Sequence, residues 1–392
     1  MNKTFEICVP CHFGIEAVLK KEIYDLGYEI TRVDDGRVCF TGDAEAVVRA
    51  NMCLRTGERV LMVVGRFFAT TFEELFDGIS DLPIEDYVTS DGRFWVTKAT
   101  SVKSQLFATS SIQSIVKKAM VERMKKATGK PTFSETGEDF PFRIFLYKDE
   151  VLFTLDTTGA SLHKRGYRTW TWSAPLSETL AAALIQLTPW HPDRILLDPF
   201  CGSGTFLIEA ALMACHIAPG VSREFTAQNW GHIVDPTLWD EVRQELRAEE
   251  DRDIETHLYG YDISPEAIDI ARKNAKNAGV DHLIHFQVRD VAELSHSKKY
   301  GFILTNPPYG ERLSKDEDVA GLYATLGEAY GRLDSWSMYV ITSFEKACEA
   351  IGKRPDKNRK IYNGMIKTYF YQFLGPKPPK RKKVTSDAMS KE

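Results

Sequence analysis

The sequence predicts an α/β protein in which a doubly wound, mostly parallel sheet follows smaller α+β units. Three observations carry this. From about residue 194 onward, short buried-type strands alternate with helices, the pattern of an open parallel sheet covered on both faces. Upstream, shorter strands and helices alternate and end in two strands around a tight corner. The chain has 392 residues, too many for one ordinary core and enough for two or three domains.

In order, residues 5–9 read as a strand, about 14–26 as a helix, and 28–33 and 37–41 as strands. A helix at about 43–51 and a strand at 59–67 complete a small α+β sandwich. A second unit opens with a helix at 70–77 and a strand at 93–99. Its long helix, 110–128, places Ile112, Ile115, Val116, Ala119, Met120 and Met124 at helical spacing, with lysines on the opposite side. Strands at 141–148 and 150–156 flank the corner Tyr147-Lys148-Asp149-Glu150. A third segment begins after Leu162 to Arg168. Its strands are 194–198, 257–263, 284–288, 302–305 and 338–343; its helices run to about 215 and over 265–278 and 319–333. Residues 360–374, broken at Asn363-Gly364, read as a hairpin that supplies an antiparallel edge. Residues 216–256 form an insertion without an assigned role. The tail from Pro376, rich in proline and lysine, reads as disordered.

Hydrophobic residues make up 43% and charged residues 27%, the balance of a soluble globular protein. No apolar run approaches the roughly 20 residues of a membrane span, and the start of the chain lacks a signal-peptide stretch. These features predict a cytoplasmic protein that binds no membrane. Seven cysteines without framework spacing argue against a disulfide scaffold. Cys8 and Cys11 form a lone C-x-x-C, read as two small residues at the end of the first strand; no metal site is expected. Net charge is −5, which excludes a general polyanion binder. Between Gly92 and Ser134, however, nine basic residues face a single acid, Glu122. That local field can attract phosphates.

Four strand ends carry the chemistry. The loop Asp198-Pro199-Phe200-Cys201-Gly202-Ser203-Gly204-Thr205 joins a strand to a helix, and its paired glycines let backbone approach a ligand. Leu207 stands where a third glycine of a dinucleotide fingerprint would be, and no phosphate-cradling lysine is present. Asp262, followed by Ile263, ends the next strand, where an acid can accept both ribose hydroxyls of a nucleoside; it can equally cap the following helix with Ser264. Asp290, followed by Val291, ends a third strand and can accept a bond from an adenine amino group or simply turn the chain. Together these positions describe an adenosyl pocket without phosphate binders. Asn306-Pro307-Pro308-Tyr309 ends the fourth strand. The Asn306 side-chain oxygen and the Pro307 carbonyl can accept both hydrogens of one planar amino group, the prolines stiffen the turn, and Tyr309 offers a stacking face.

With these positions in place, residues 165–375 resemble a Rossmann-like class I methyltransferase of the amino-methylating N-P-P-Y kind. Residues 66–160 resemble a THUMP RNA-binding domain, through Ser104-Gln105-Leu106-Phe107 and the helix bearing Lys117-Lys118. The segment before it resembles the ferredoxin-like partner of such domains. Leu162 to Arg168, Ser173-Ala174-Pro175-Leu176 and Tyr362-Asn363-Gly364 resemble the bacterial family that methylates the 2-amino group of guanine in 23S ribosomal RNA. The resemblance implies a ferredoxin-like domain at 1–65, a THUMP domain at 66–163, a seven-stranded methyltransferase domain at 164–378 and a basic tail at 379–392. It also implies S-adenosylmethionine as cofactor, with Ser173, Ala174 and Pro175 near it. The expected RNA contacts are Arg93, Lys98, Lys103, Lys117, Lys118, Lys125, Lys164, Arg165 and Arg168. The alternatives are a transfer RNA guanine methyltransferase, a DNA adenine methylase, and an RNA-binding protein with a relic pocket. A monomer and a weak dimer are both compatible with the sequence.

Overall fold

The computed structural model describes residues 3–170, 176–308, 316–364 and 366–379; the tail beyond lies outside the described residues. The first half comprises β1 (Phe5–Pro10), α1 (Glu16–Asp25), β2 (Ile30–Asp34), β3 (Arg37–Gly42), α2 (Ala44–Cys53) and β4 (Leu61–Phe68). It continues with α3 (Phe72–Ser80), β5 (Arg93–Val102), α4 (Thr109–Thr128), β6 (Asp139–Tyr147) and β7 (Glu150–Asp156). The second half comprises α5 (Glu178–Gln186), β8 (Leu196–Asp198), α6 (Thr205–Ala214), α7 (Pro236–Ala248), β9 (Leu258–Asp262), α8 (Pro265–Ala278) and β10 (Ile284–Val288). After these come β11 (Phe302–Thr305), α9 (Asp316–Gly331), β12 (Ser337–Thr342), α10 (Ala347–Ile351), β13 (Lys357–Asn363) and β14 (Ile366–Phe373).

The strands form two seven-stranded sheets, ordered β2-β3-β1-β4-β7-β6-β5 and β10-β9-β8-β11-β12-β14-β13. The second is the expected α/β sheet: its strands run parallel except β14, which is antiparallel to both neighbours. Strand order reverses between β8 and β11, so the C-terminal ends of these two strands open the crevice where such sheets bind ligands. The first sheet joins the two expected upstream units, because β4 pairs with β1 on one side and β7 on the other. Only β5 and β6, linked by the α4 crossover, run parallel in it.

Three helices lie outside the sequence expectations. α5 is buried on nearly every side (Leu180, Ala181, Ala182, Ala183, Leu184 and Ile185), so it has no polar face to produce a helical period. Ser177 caps its start by accepting the Leu180 N–H. α7 lies in the insertion, which now acquires a role. Its Glu245 bonds Arg49 of α2 at 2.6 Å, while the Gly220 N–H donates to the Met52 carbonyl and Ala227 N–H to Thr157. Trp230, fully buried, stacks on Phe140 of β6 with centroids 5.3 Å apart and donates to the Asp139 carbonyl at 2.9 Å. The insertion therefore docks the second half on the first sheet.

The first sheet's helix-free side carries a small cluster of Cys8, Cys39, Leu61 and Leu152. Cys8 sits opposite Cys39 in the β1–β3 register, so its neighbour is Cys39 rather than Cys11, and all seven cysteines are free thiols. Hydrogen bonding with Cys39 and burial push the Cys8 thiol up. Ion pairs surround the cluster, including Arg66–Glu6 at 2.8 Å and Arg32–Glu150 at 2.7 Å.

Replacing Trp230 with Ala leaves a large cavity between the halves and an unbonded Asp139 carbonyl. The expected cost is about 3–5 kcal/mol, read as a lower urea midpoint; a change under about 1 kcal/mol would contradict the docking role of the insertion.

Candidate active site

β8 and β11 are tied at their C-terminal ends. The Thr305 hydroxyl donates to Asp198 at 2.6 Å, and the Phe200 N–H donates to the same carboxylate oxygen at 3.1 Å. Asp198 is 2% exposed, and burial pushes its carboxyl up to about 7, with a smaller contribution from nearby Asp262. Its side chain is thus buried at the strand ends, where one oxygen holds the two strands together.

The loop that follows is built on left-handed glycines. Gly202 has φ +51°, Gly204 has φ +82°, and Gly204 forms the N-cap of α6. A Cβ on Gly204 would stand 3.1 Å from Phe286 and 3.2 Å from Ala271, so only glycine lets α6 pack this closely. Cys201 is buried and its N–H bonds the Tyr261 carbonyl. Ser203 is buried, its carbonyl accepting from Asn274; Phe200 is partly buried, and Thr205 accepts from Arg168 at 2.7 Å.

Asp262 ends β9 with both oxygens engaged by backbone, Gly202 N–H at 3.0 Å and Ser264 N–H at 3.0 Å. Burial raises its pKa, against these bonds. The two N–H groups fix the carboxylate plane and leave lone pairs for hydroxyl donors. Beside it, Ile263 is 70% exposed, an unusual state for a large apolar residue at a strand end and a ready wall for a planar ring. Asp290 is exposed and caps a short turn through the Ala292 N–H at 2.8 Å, while Val291 is buried.

Asn306 follows β11. Its Oδ1 is buried and has no hydrogen-bond partner among the described residues. Pro307 is buried and Pro308 partly so. A stiff turn thus presents a buried acceptor that something else must satisfy. Tyr309 and the expected cofactor neighbours Ser173, Ala174 and Pro175 lie outside the described residues.

The expected RNA contacts divide. Lys98, Lys103, Lys118 and Lys164 are exposed. Arg93 is exposed but pairs with Asp139 through two bonds, and Lys125 pairs with Glu122 at 2.9 Å. Three require correction. Lys117 bonds the Phe94 carbonyl and Glu135 and lies 3.9 Å above the Phe94 ring, committed to packing α4 on β5. Arg165 is 8% exposed, donates to the Leu162 and Arg55 carbonyls and lies 3.6 Å from Glu209 of α6. Arg168 pairs with Glu178 at 3.3 Å and donates to the Leu176 carbonyl and the Thr205 hydroxyl. Both arginines brace the linker against α6 and α5, and their buried carboxylate partners outcompete a solvent-side role.

One cluster escaped sequence reasoning. Glu58 accepts from His163 Nδ1 at 3.0 Å, from Ser161 Oγ at 3.1 Å and from Thr179 of α5, with His12 Nε2 at 3.2 Å. His12 Nδ1 donates to the Tyr362 carbonyl of β13 at 3.0 Å, and its other nitrogen meets Ser177, the α5 cap, at 3.0 Å. Burial alone would raise the Glu58 pKa; the bonds from His12, His163 and Thr179 outweigh it and hold the carboxyl well below the usual range. Glu58 lies more than a hundred positions from Ser161, His163 and Thr179, and His12 comes from a different loop, so no local spacing reveals the cluster. Among the described residues, no group of three or more His, Cys, Asp or Glu could hold a metal ion, and no helix is long and apolar enough to cross a membrane.

Comparison with known proteins gives three matching families: an RlmL ferredoxin-like domain over residues 6–61, a THUMP domain over 69–156 and an RMKL-like methyltransferase domain over 165–372. The chain is 44% identical over 384 residues to the "Putative RNA methyltransferase YpsC" of Bacillus subtilis, covering 97% of this chain and 99% of that protein. It is 35% identical to the ribosomal RNA large subunit methyltransferase K/L of Aliivibrio salmonicida; the match covers 90% of this chain but only 51% of that protein, about half its length. The crystal structure of SMU.472, a complex with SAH, superposes with a TM-score of 0.90 at 41% identity, covering 97% of this chain and all of that one.

Two pH effects are expected. The folded pKa of Asp198 lies above its unfolded value, so its stabilising contribution is complete below about pH 4 and is lost as pH rises through about 7. Asp198→Asn should therefore narrow the melting-temperature difference between about pH 5 and pH 8; an unchanged difference would place that pH dependence elsewhere. Glu58 has the opposite sign. Its contribution is present above the unfolded value of 4.5 and disappears on acidification. Glu58→Gln should melt lower than wild type at neutral pH, with the deficit shrinking in acid; a deficit equal at both pH values would count against the ionised hub.

Proposed function

Because the chain belongs to the RMKL-like methyltransferase family, we propose that it methylates the exocyclic 2-amino group of a guanine in large-subunit ribosomal RNA, using S-adenosylmethionine. The observation that carries the chemistry is the buried, unsatisfied Asn306 Oδ1 at the end of β11. The residues present fit the cofactor: Asp262 has lone pairs left for ribose hydroxyls, Ile263 exposes an apolar wall, and Asp290 stands at the next strand end as an acceptor for an adenine amino group. Gly202 and Gly204 keep the loop backbone bare where the ligand would lie.

When bound, S-adenosylmethionine supplies a strongly electrophilic methyl carbon, so the protein's task is to position the acceptor nitrogen. Asn306 Oδ1 and the Pro307 carbonyl are two acceptors on one rigid turn. Each can take one N–H of a planar amino group, which favours a pyramidal nitrogen and aims its lone pair. Pro307 and Pro308 have no N–H to compete for these oxygens. Asp198, mostly turned to Thr305, keeps β8 and β11 in the relative position this geometry needs.

The choice of RNA rests on the first half. A THUMP match and the exposed Lys98, Lys103 and Lys118 support RNA capture by residues 1–163, with the exposed Lys164 at the junction and catalysis in 164–378. Ribosomal RNA is favoured by the name of the K/L relative. Mass mapping of ribosomal and transfer RNA from cells lacking the protein tests this. Loss of one methylguanosine from 23S RNA is expected; intact ribosomal RNA with an undermethylated transfer RNA would reassign the substrate. Asn306→Ala should lower methyl transfer by roughly 100-fold or more while binding of S-adenosylhomocysteine and RNA persists. Unchanged turnover would remove Asn306 from the mechanism.

A further inference from the structure

On the reading that RNA is the substrate, we infer that Phe13, Tyr362 and Tyr369, interleaved with Lys360 and Lys367, form a stacking platform for single-stranded nucleotides flanking the target base. Neither the adenosyl pocket nor the basic helix α4 includes these residues.

The β13–β14 hairpin places them on one face. Lys360 is directly opposite Tyr369 and Tyr362 opposite Lys367, so all four side chains share a side of the ribbon. Lys360 Nζ lies 5.1 Å above the Tyr362 ring and Lys367 Nζ lies 4.9 Å above Tyr369. Both lysines are exposed. The other half of the chain adds Phe13, 42% exposed, whose ring meets Tyr362 edge-on with centroids 5.6 Å apart. Lys360 on the edge strand β13 protects that edge from pairing with other chains, but Lys367 lies on the inner strand β14, and edge protection requires no aromatic ring beneath each lysine and no phenylalanine brought from the opposite half. With each lysine swung from its ring to a phosphate, alternating rings and cations match successive bases and phosphates of a single strand.

The platform is held rigidly. The Tyr362 N–H donates to the Phe13 carbonyl at 3.3 Å, and Arg359 donates to the Gly14 carbonyl at 3.0 Å. Gly14 has φ +97°, and a Cβ there would stand 2.5 Å from the Lys360 carbonyl, so glycine is required for this contact. Its location follows from register. Thr305 pairs with Val340, Val340 with Tyr371, and Tyr371 with Asn358. β13 runs in the same direction as β11, so Tyr362 lies past the Thr305 row on the end where Asn306 emerges. Three strand spacings separate β13 from β11, roughly 14 Å. That is too far for the target base and suits its neighbours.

The test uses the full chain, a short fluorescein-labelled single-stranded oligoribonucleotide, and variants Phe13→Ala, Tyr362→Ala and Tyr369→Ala. Tyr362→Leu preserves apolar volume should the alanine variant fail to fold, and Tyr362→Phe should restore binding. Loss of a ring should weaken binding by roughly 5- to 150-fold and raise KM for ribosomal RNA, with kcat and S-adenosylhomocysteine binding held. Lys360→Gln with Lys367→Gln should lower the salt dependence by about 0.7 per lysine. Oligonucleotide affinity unchanged in both Tyr362→Leu and Phe13→Ala overturns the platform, whatever the enzyme methylates. Ring-dependent binding by a protein that methylates no RNA supports the platform and refutes the wider reading.

Discussion

The Glu58 carboxylate sits where the two halves of the molecule meet, and the alignment of RNA-binding sheet and catalytic sheet depends on it. A carboxylate largely withdrawn from water is stable as an anion only when it is well hydrogen-bonded. Here the bonds come from His12 and His163, from Ser161, and from Thr179 on the catalytic side. Through His12 the same network reaches the carbonyl of Tyr362 and the cap of α5. One charge thus binds a loop of the first sheet, the linker and two elements of the second sheet. The insertion carrying Trp230 reinforces the alignment from another side of the interface.

The candidate acceptor turn was legible in the sequence because it is local. A turn such as Asn306-Pro307-Pro308 carries its stiffness and its acceptors within a few residues, and strand-end residues such as Asp262 can be placed once the alternation of strands and helices is seen. The doubly wound sheet and most of its elements were legible for the same reason. The structure adds the partners of the acids: Asp198 bonds Thr305 at the strand-order reversal, and backbone N–H groups fix the plane of Asp262.

Illegible features depend on residues far apart in the chain. Nothing near Arg165 announces Glu209, so a charged linker residue reads as solvent-facing although it is sequestered. The basic run from 92 to 134 looks nearly free of acid, yet Glu85, Glu135 and Asp139 from outside it pair with Arg123, Lys117 and Arg93. Its field is therefore weaker and more focused than a residue count implies. α5 eluded periodicity because burial on nearly all sides removes the polar stripe by which helices are found.

β4 belongs to two sequence families' worth of structure at once, since its flanks complete β1 on one edge and β7 on the other. Excising either upstream unit would bare a strand edge on the remainder, an invitation to aggregate. Recombination can therefore trade these two units only as a pair, whereas their joint attachment to the catalytic half is made of side chains and loops. A shuffled library cut inside β4 would be expected to yield few soluble members, and one that exchanges the whole composite sheet more.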